Sequence, residues 1–477
     1  MKLSLIGIVC CWIAAWTTPE TQGFVLSPQK VVDLALDKSD RKQEIEMVRK
    51  ESDALVPRAE ANLQWGLGLE GYYLKSEEEN LSGITNKQEK NIYGKLSLQK
   101  KMVTGTTTTF SYAQTNSARI LSSFGSSFGL PTRQVYGLFS VEAQQDLWQN
   151  FFGTVDRLEI EIARTQLQQA DSTRIEELED HVLNVLNMFW NSYIAHESLN
   201  ESIASRERAE DVLKAVRRKS GMGYTKPGEL ARTQAEYKEQ DSLVKFASVR
   251  YLHSLDELFK ELNLEQEKNA ITFEIGNDVP AVPNNSPIDI EKLRALKNRE
   301  LSLKRTEYQL RVTDSLRSPT LQLEGRVNSS GVERYSSGAT SEVTNFSHPS
   351  YYVGVNFKMY LDNDSARAEW ENAKVKKDLA HLQLDVAKKQ VQNMLADLER
   401  RVKANHLVLL NRIEQVKYRE KSYNDLRRAF NQGRVDLTDL VLAANAYTQS
   451  QIDKIQATGN YHMSINQLAA LRDELFQ

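Results

Sequence analysis

A short glycine turn between two helical stretches is the most informative segment of the chain. It reads Asn431-Gln432-Gly433-Arg434-Val435-Asp436-Leu437-Thr438-Asp439-Leu440. The same pattern occurs 210 positions earlier, where Arg217, Arg218, Gly223, Leu230 and Tyr237 correspond to Arg427, Arg428, Gly433, Leu440 and Tyr447. Glycine tolerates the positive φ that a tight turn between helices needs. The chain therefore predicts two helix–turn–helix units, each with a glycine at its tip.

Each turn follows a long stretch without glycine or proline. These stretches run from Thr154 to Ser220 and from Asn363 to Gln432. At about 1.5 Å per residue, each predicts a helix roughly 100 Å long. Apolar residues recur in narrow stripes, as at Leu395, Leu398 and Val402. A narrow stripe is typical of coiled-coil neighbours rather than of helices around a thick core.

A different pattern precedes each long stretch. From Leu63 to Leu147, and again from Thr320 to Leu361, apolar and polar residues alternate, which predicts β-strands. Many of these strands carry tyrosine or phenylalanine near their ends, which is typical of outer-membrane β-barrels, where one face of a strand meets lipid and the other meets the lumen. The segments Ile92 to Val103 and Thr106 to Thr115 predict an additional strand pair.

The order of helix, strands, long helix, glycine turn and helix occurs twice, which indicates an internal two-fold structural repeat. Ser27-Pro28 and Ser286-Pro287 each predict the start of a helix. The predicted segments are a signal peptide at 1–23, a first-repeat N-terminal helix at 24–60, first-repeat barrel strands with the extra strand pair at 61–150, a first-repeat long helical hairpin at 151–275, a linker at 276–286, a second-repeat N-terminal helix at 287–318, second-repeat barrel strands at 319–362 and a second-repeat long helical hairpin at 363–477.

The composition excludes some classes of protein. Of 477 residues, 40% are hydrophobic and 26% are charged, which excludes a bundle of membrane-spanning helices. The net charge of -3 argues against nucleic acid as a partner.

Residues 1–23 combine a basic start with a short apolar run, which predicts a cleaved secretory signal peptide. Both cysteines, Cys10 and Cys11, lie in this segment, so the mature chain is expected to contain no thiol. A lipoprotein anchor is the alternative, although Val9 precedes Cys10 where a lipobox has a small residue.

The order of these segments resembles the TolC family of outer-membrane efflux proteins, the outer membrane factors. The most specific match is the glycine turn with the helix that follows it, residues 431–447, and Phe189-Trp190-Asn191 and Ser318-Pro319-Thr320 support it. The resemblance implies a mixed α and β membrane protein. In this family, a homotrimer shares one β-barrel in outer-membrane lipid, and its coiled-coil hairpins form a long periplasmic α-helical barrel. The partners that it implies are a periplasmic adaptor (membrane fusion) protein and an inner-membrane pump of the RND, ABC or MFS type.

Three features depart from the family pattern. The extra strand pair raises the expected number of strands per chain above the family's four, which leaves the barrel size open. The first tip has additional glycine and proline between Gly221 and Glu229. At the second tip, Leu442 stands where the best-known member of the family has the second aspartate of its narrowest ring. A double carboxylate ring is therefore not expected.

Five residues are candidates for a gate at the periplasmic tip, and these are Asp439, Arg434, Gly433, Glu229 and Gly223. In a trimer, Asp439 would occur three times near one axis, and a ring of carboxylates favours cations. The alternative is an exposed aspartate that the helix dipole favours in a first turn. The resemblance implies that Arg434 and Glu229 link the two tips in a closed state, and a solvated surface pair is the alternative. It also implies that the tips meet the adaptor.

No pattern predicts an enzyme, a cofactor or a metal site. Residues 66–71 match G-x-G-x-x-G, but these glycines lie inside an alternating strand and do not precede a helix. The seven histidines lack the spacing of a zinc site. Asp362-Asn363-Asp364 predicts a helix cap rather than a calcium loop, because the remaining ligands are missing.

The sequence therefore predicts a passive exit duct in the outer membrane of a Gram-negative bacterium. Such a channel conducts substrates from an inner-membrane pump to the exterior, in tripartite efflux or in type I secretion. The alternative is a secreted or periplasmic coiled-coil structural protein that uses its β segments for assembly. The residues do not specify the transported substrate.

Overall fold

A computed structural model describes residues 24–77, 86–121, 126, 127, 129, 131–264, 271–276, 278–283 and 288–475. The predicted signal peptide at 1–23, the Ser286-Pro287 helix start and part of the predicted linker lie outside the described residues.

Helices make up most of the described chain. In chain order they are α1 (Pro28–Lys38), α2 (Asp40–Glu51), α3 (Leu55–Glu60), α4 (Thr154–Gly221), α5 (Glu229–Glu261), α6 (Arg294–Leu316), α7 (Ser336–Thr344), α8 (Asp364–Asn431) and α9 (Leu437–Leu471). None of these helices is long and apolar enough to cross a membrane.

The strands are concentrated in two regions of the chain. In chain order they are β1 (Val25–Leu26), β2 (Trp65–Ser76), β3 (Asn86–Lys101), β4 (Thr106–Leu121), β5 (Arg133–Asp146), β6 (Thr272–Phe273), β7 (Thr320–Glu333) and β8 (Pro349–Lys358). The segments that suggested an additional strand pair form β3 and β4, and the G-x-G-x-x-G match at 66–71 lies inside β2.

Each of the two stretches without glycine and proline forms one helix of 68 residues, α4 and α8. The buried residues of α8 follow steps of seven or four, which is the spacing of a coiled-coil seam. They are Ala373, Ala380, Leu384, Val391, Leu398, Val402, Leu409, Val416, Tyr423 and Phe430. The narrow seam predicted from the sequence is present, and charged residues occupy much of the remaining helix surface.

Two compact units divide the chain. One contains the described residues of 1–42, 180–285 and 398–470. It holds α1, α5, most of α9 and the tip-proximal parts of α4 and α8, with β1 and β6 paired in parallel. Trp190, 2% exposed, stacks on His462 with ring centroids 4.1 Å apart, and the Tyr461 hydroxyl donates to the Pro280 carbonyl at 2.8 Å. These aromatic residues form part of the core of this unit.

The other unit contains the described residues of 43–179, 286–397 and 471–477, and a six-stranded antiparallel sheet dominates it. The strand order is β2-β3-β4-β5-β7-β8. The first strand, β2, follows α3; β5 leads towards α4, and β8 leads towards α8. The long helices therefore begin at the same end of the sheet.

The strand register separates the sheet into two chemically different faces, because residues directly opposite each other on antiparallel strands share a face. The apolar face carries Leu67, Leu69, Tyr73, Ile92, Leu96, Leu98, Phe110, Val141, Leu323, Val327, Tyr351, Val353, Val355 and Phe357. The polar face carries Glu70, Lys95, Ser97, Thr107, Thr109, Ser111, Thr115, Ser140, Glu142, Gln144, Glu324, Arg326, Asn328 and Asn356.

A short helix covers one end of the apolar face. Helix α7 buries Ala339 and Val343 against β5 and β7. A Cβ on Gly331 would lie 2.5 Å from the Ala339 carbonyl oxygen, so only glycine permits this approach. The Ser329 hydroxyl donates to the Val343 carbonyl at 2.8 Å. The rest of the apolar face is open, and Leu69 is 80% exposed.

Acid is expected to destabilise the unit that contains His462. Burial lowers the pKa of this imidazole from 6.5 to about 4. The folded state therefore keeps His462 neutral while the unfolded chain takes up a proton, so stability present above pH 6.5 is lost as the pH falls towards 4. We expect His462→Phe, which keeps a ring on Trp190, to reduce the fall in thermal melting temperature across this pH range, measured by circular dichroism.

The matched control is His253→Gln, because His253 is 73% exposed. The control should melt with the wild-type pH dependence. If His462→Phe also shows an undiminished pH dependence, another group is responsible for the acid sensitivity.

Candidate functional site: the turns that join the long helices

The first tip joins α4 to α5 through residues 222–228. The Gly223 N–H donates to the Ser220 carbonyl at 3.0 Å, and the Tyr224 N–H donates to the Lys219 carbonyl at 2.9 Å. Gly223 has a φ of 77°. This pair of bonds around a left-handed glycine is a Schellman motif, which satisfies carbonyl groups at the end of a helix.

The second tip joins α8 to α9 through residues 432–436. The Gly433 N–H donates to the Phe430 carbonyl at 3.0 Å, and the Arg434 N–H donates to the Ala429 carbonyl at 2.9 Å. Gly433 has a φ of 75°. The two tips therefore share the same terminal hydrogen bonds, 210 residues apart.

Polar side chains link the two tips. The Lys226 ammonium lies 2.7 Å from the Asp436 carboxylate, and the Arg232 guanidinium donates to the Thr438 hydroxyl at 2.9 Å. Lys226 and Asp436 are 67% and 64% exposed. Water largely screens an ion pair this exposed, so the pair favours one arrangement of the tips without locking it.

Beneath these polar links, the tips share a small apolar core. Its buried members are Val212, Val216, Tyr423, Phe430, Leu437 and Leu440. The Lys219 ammonium donates to the Phe430 carbonyl at 2.8 Å and lies 3.8 Å from the centroid of that ring. Apolar packing and the contacts of the Lys219 ammonium with Phe430 therefore both hold the last turns of α4 and α8 together.

Further along the hairpins, Arg208 is the centre of a half-buried polar cluster. It forms an ion pair with Glu201, donates to the Thr448 hydroxyl at 2.9 Å and lies over the Tyr447 ring at 5.0 Å from its centroid. Tyr447 stacks on Tyr423 with centroids 5.9 Å apart. Burial raises the pKa of the Glu201 carboxyl, and Arg208 opposes this shift by favouring the charged form.

The residues singled out in the sequence lie at these tips, in different environments. Asp439 is exposed in the first turn of α9, and Leu442 is 62% exposed. The Glu229 carboxylate accepts a hydrogen bond from the Lys226 backbone N–H at 3.0 Å. In the described part of the chain, no hydrogen bond or ion pair joins Arg434 to Glu229. Their role as a link, and the role of Asp439 in a gate, stay predictions.

Sequence reasoning missed the pair that does connect the tips. Lys226 and Asp436 stand 210 positions apart, as Gly223 and Gly433 do, so they occupy equivalent positions in the two turns. Opposite charges at equivalent positions of two similar turns were a usable signal, because turns that lie side by side bring such positions together.

The described residues contain no cluster of three or more histidine, cysteine, aspartate or glutamate side chains arranged to hold a metal ion. The tips instead offer exposed backbone turns, exposed charges and a stable helical framework. These features suit contact with another macromolecule or the control of passage along an axis.

The solved structures that are similar to the chain include three named outer-membrane proteins. The Campylobacter jejuni CmeC outer membrane channel matches over 94% of this chain and 86% of that one, with a TM-score of 0.69 and 14% identity. The Vibrio cholerae outer membrane protein VceC matches over 93% and 95%, with a TM-score of 0.66 and 11% identity. The open state of the Neisseria gonorrhoeae MtrE outer membrane channel matches over 94% and 89%, with a TM-score of 0.68 and 13% identity.

No protein-family model matches the chain, and no curated protein matches it in sequence. The structural similarities cover nearly the whole chain. The chain therefore has the fold of outer-membrane channels, and the resemblance to the TolC type that the sequence indicated is confirmed at the level of fold.

Replacing the glycine of the second tip tests the turn geometry. A Cβ built on Gly433 points into open space, so no clash with another part of the chain is expected and backbone strain dominates the effect. We expect Gly433→Ala to lower the free energy of unfolding by about 1 kcal/mol. Gly433→Asn should lower it less, because asparagine tolerates the left-handed region. Denaturant titration of the purified protein measures both.

Gly221→Ala is the control, because Gly221 ends α4 outside the left-handed region and also has free space at its Cβ. It should leave stability unchanged or raise it slightly. Equal losses for Gly221→Ala and Gly433→Ala would contradict a special role for positive φ at the tip.

Proposed function

We propose that the chain forms an outer-membrane channel that acts as a passive exit duct, with a large periplasmic part, in a Gram-negative bacterium. One observation carries the proposal: the six-stranded sheet has one open apolar face and one polar face. An exposed apolar surface of this extent marks an interaction with membrane or protein. The similarity to outer-membrane channels makes lipid the better explanation of the two.

The edges of the sheet make association of several chains necessary. Strands β2 and β8 are the outer strands of the described sheet. In hydrocarbon, their unpaired N–H and C=O groups would be unsatisfied, so an open sheet cannot be stable there. Pairing β2 of one chain with β8 of the next removes the edges. A homotrimer would then close a barrel of 18 strands, because each chain supplies six.

The polar face fits the lumen of such a barrel. Arg326 lies 3.2 Å from the Glu142 carboxylate and also pairs with Glu324, and Gln144 donates to Glu142 at 2.9 Å. Charged networks are stable where water reaches them and costly on a face that meets lipid. A barrel of roughly 16–18 strands leaves room for an aqueous channel.

Two exposed apolar patches on the helices support the same oligomer. The α5 patch consists of Phe246 and Val249, which are 73% and 67% exposed. The α8 patch consists of Leu407, Leu410 and Tyr418, which are 61%, 42% and 68% exposed. Large apolar residues on water-facing helices favour burial against another surface. A second copy of the chain offers that surface, because each copy carries both patches.

The contacts of α9 indicate that the two patches lie at the same level. The Asn445 amide donates to the Glu236 carboxylate of α5 at 3.2 Å, and Arg412 of α8 lies 3.0 Å from Asp453. On α9, Asp453 lies eight positions after Asn445, and α5 runs away from the tips as α9 does. The level of Arg412 therefore falls near Phe246. Joining unlike patches is a heterologous contact, which generates a ring when the rotation between copies closes. Patches at one level favour the ring, because successive copies are not displaced along the axis.

A disulfide between the patches tests the ring. The introduced cysteines would be the only thiols of the mature chain, because Cys10 and Cys11 lie in the predicted signal peptide. We expect Val249→Cys combined with Leu410→Cys to give covalent dimers and trimers on mild oxidation, resolved by denaturing electrophoresis without reductant.

The control combines Val249→Cys with Val375→Cys, which is also exposed on α8 but lies 35 residues from Leu410. It should crosslink only in trace amounts. Similar yields from both pairs would mean that random collisions, and not a defined interface, form the bonds.

The tips suit a gate and a contact with partner proteins. We infer that Asp439 contributes one carboxylate per chain to a ring near the channel axis, and that Gly223 and Gly433 shape the turns presented to a periplasmic adaptor. Exposure of Asp439 in the first turn of α9 is consistent with this role. Arg434, Glu229 and the pair Lys226–Asp436 are candidates for the links that hold the tips together. An inner-membrane pump of the RND, ABC or MFS type would supply the energy and the substrate.

Membrane fractionation and single-channel recording test the proposed function together. We expect the protein to fractionate with outer membranes as a trimer and to conduct ions in a planar bilayer. Asp439→Asn should reduce the preference for cations and the block by divalent cations, because a ring of carboxylates attracts them. The control is Glu257→Gln, which removes a charge from an exposed position on α5.

The outcome separates the proposal from a secreted or periplasmic coiled-coil structural protein. A protein that remains soluble through salt washes and conducts nothing would support that alternative and overturn the channel. A conducting trimer whose current is unchanged in Asp439→Asn would retain the channel and remove Asp439 from its gate.

A further inference from the structure

A row of cations crosses the sheet at the end remote from the long helices. Lys75 of β2 pairs with Lys90 of β3, Lys90 pairs with Ala118 of β4, and Ala118 pairs with Arg133 of β5. The four residues therefore share one face, and this is the apolar face. Lys75, Lys90 and Arg133 are all exposed.

This arrangement is electrostatically unfavourable in the isolated sheet. Lys75 and Lys90 stand directly opposite each other, and like charges in that position are destabilising. Glu77 offsets part of the charge, because its carboxylate lies 2.6 Å from the Lys75 ammonium. In the described part of the chain, Lys90 and Arg133 form no ion pair. The row therefore carries excess positive charge that an external anion would relieve.

On β2 and β3, the apolar surface ends at this row, because Glu77 and Gln88 follow it on the same face. The next positions on the same face, two residues closer to the long helices, are Tyr73 and Ile92, which form a cross-strand pair and are 62% and 58% exposed. About 7 Å along the strand separates the two rows. Cations at the border of an apolar band meet the phosphate layer when the band lies among acyl chains.

We propose that Lys75, Lys90 and Arg133 bind the phosphate groups of the lipopolysaccharide that faces them in the outer leaflet. The proposal rests on the proposed function, which puts the strand ends remote from the long helices at the outer surface. Three strand spacings separate Lys75 from Arg133, about 14 Å in total. This length allows the row to contact two phosphates of one glycolipid at the same time. A phospholipid headgroup with one phosphate engages fewer of the three cations.

The opposite end of the same face differs. Its cation is Lys100, whose ammonium lies 5.4 Å from the centroid of the Trp65 ring. Lys100 stands opposite Thr108 on β4 and not opposite another cation. This end has an aromatic residue with a single lysine, which is typical of an ordinary membrane interface. The row of three cations is specific to the outer end.

The experiment measures binding of defined lipids to the purified, detergent-solubilised oligomer. The probes are bisphosphorylated lipid A, monophosphorylated lipid A and phosphatidylglycerol, with dissociation constants from native mass spectrometry. The variant combines Lys75→Gln, Lys90→Gln and Arg133→Gln. We expect its affinity for bisphosphorylated lipid A to fall about tenfold or more, because each cation near a phosphate layer contributes to binding. Affinity for phosphatidylglycerol should change much less.

Two controls isolate the row. Lys95→Gln changes the same residue type on β3, but on the polar face, and Lys100→Gln changes the apolar face at its other end. Neither should change lipid A binding more than about twofold. Glu77→Gln removes the counter-charge of Lys75 and should tighten binding. If the triple variant does not assemble, two single variants test the proposal. Lipid A should bind more tightly to Glu77→Gln and more weakly to Lys90→Gln.

Unchanged lipid A binding in the triple variant would overturn the proposal, and so would an equal loss for lipid A and phosphatidylglycerol. Equal losses in Lys95→Gln and Lys90→Gln would also overturn it. The channel function is tested separately by the conductance of the wild type. A conducting channel without lipid A preference would retain the function and remove the site, whereas a wild type that never enters membranes would remove both.

Discussion

A backbone N–H or C=O group that enters hydrocarbon without a partner is strongly destabilising. Hydrogen bonds between strands pair the backbone groups of the six-stranded sheet, except along the free edges of β2 and β8, its two outer strands. The proposed channel would place the apolar face of this sheet in lipid, and residues such as Leu69 and Val353 are about four-fifths exposed in the single chain. In the proposed channel, neighbouring chains satisfy the two edges, so oligomerisation and membrane insertion depend on the same hydrogen bonds.

The long helices pack through narrow apolar seams and not through a broad apolar face. A coiled-coil seam with buried residues seven or four apart needs little apolar surface, and α8 follows that spacing over its whole length. Most of the helix surface then remains polar, which explains why a chain with the fold of membrane channels is only 40% hydrophobic. The exposed patches on α5 and α8 are among the exceptions, and in the proposed oligomer a neighbouring copy covers them.

The two tips are alike in their backbone and different in their side chains. Gly223 and Gly433 form the same terminal hydrogen bonds, because a helix that ends in a tight turn has few ways to satisfy its last carbonyl groups. The side chains differ, however, because Lys226 lies at the first tip and Asp436 stands 210 positions later at the second. The turns therefore share their backbone geometry, whereas the charges that link them differ.

Patterns that depend on neighbours in the sequence were predictable. The long helices followed from the absence of glycine and proline, the strands from alternation, and the turn glycines from the repeat, because each depends on local backbone preferences. The partners across the tips were not predicted: Glu229 accepts a bond from the Lys226 backbone, while the Lys226 side chain reaches Asp436. The row of Lys75, Lys90 and Arg133 also appeared only with the strand register. Such pairings join residues far apart in the chain, and a shift of one residue in register moves every side chain to the other face, so they are defined only once the strands and helices have packed.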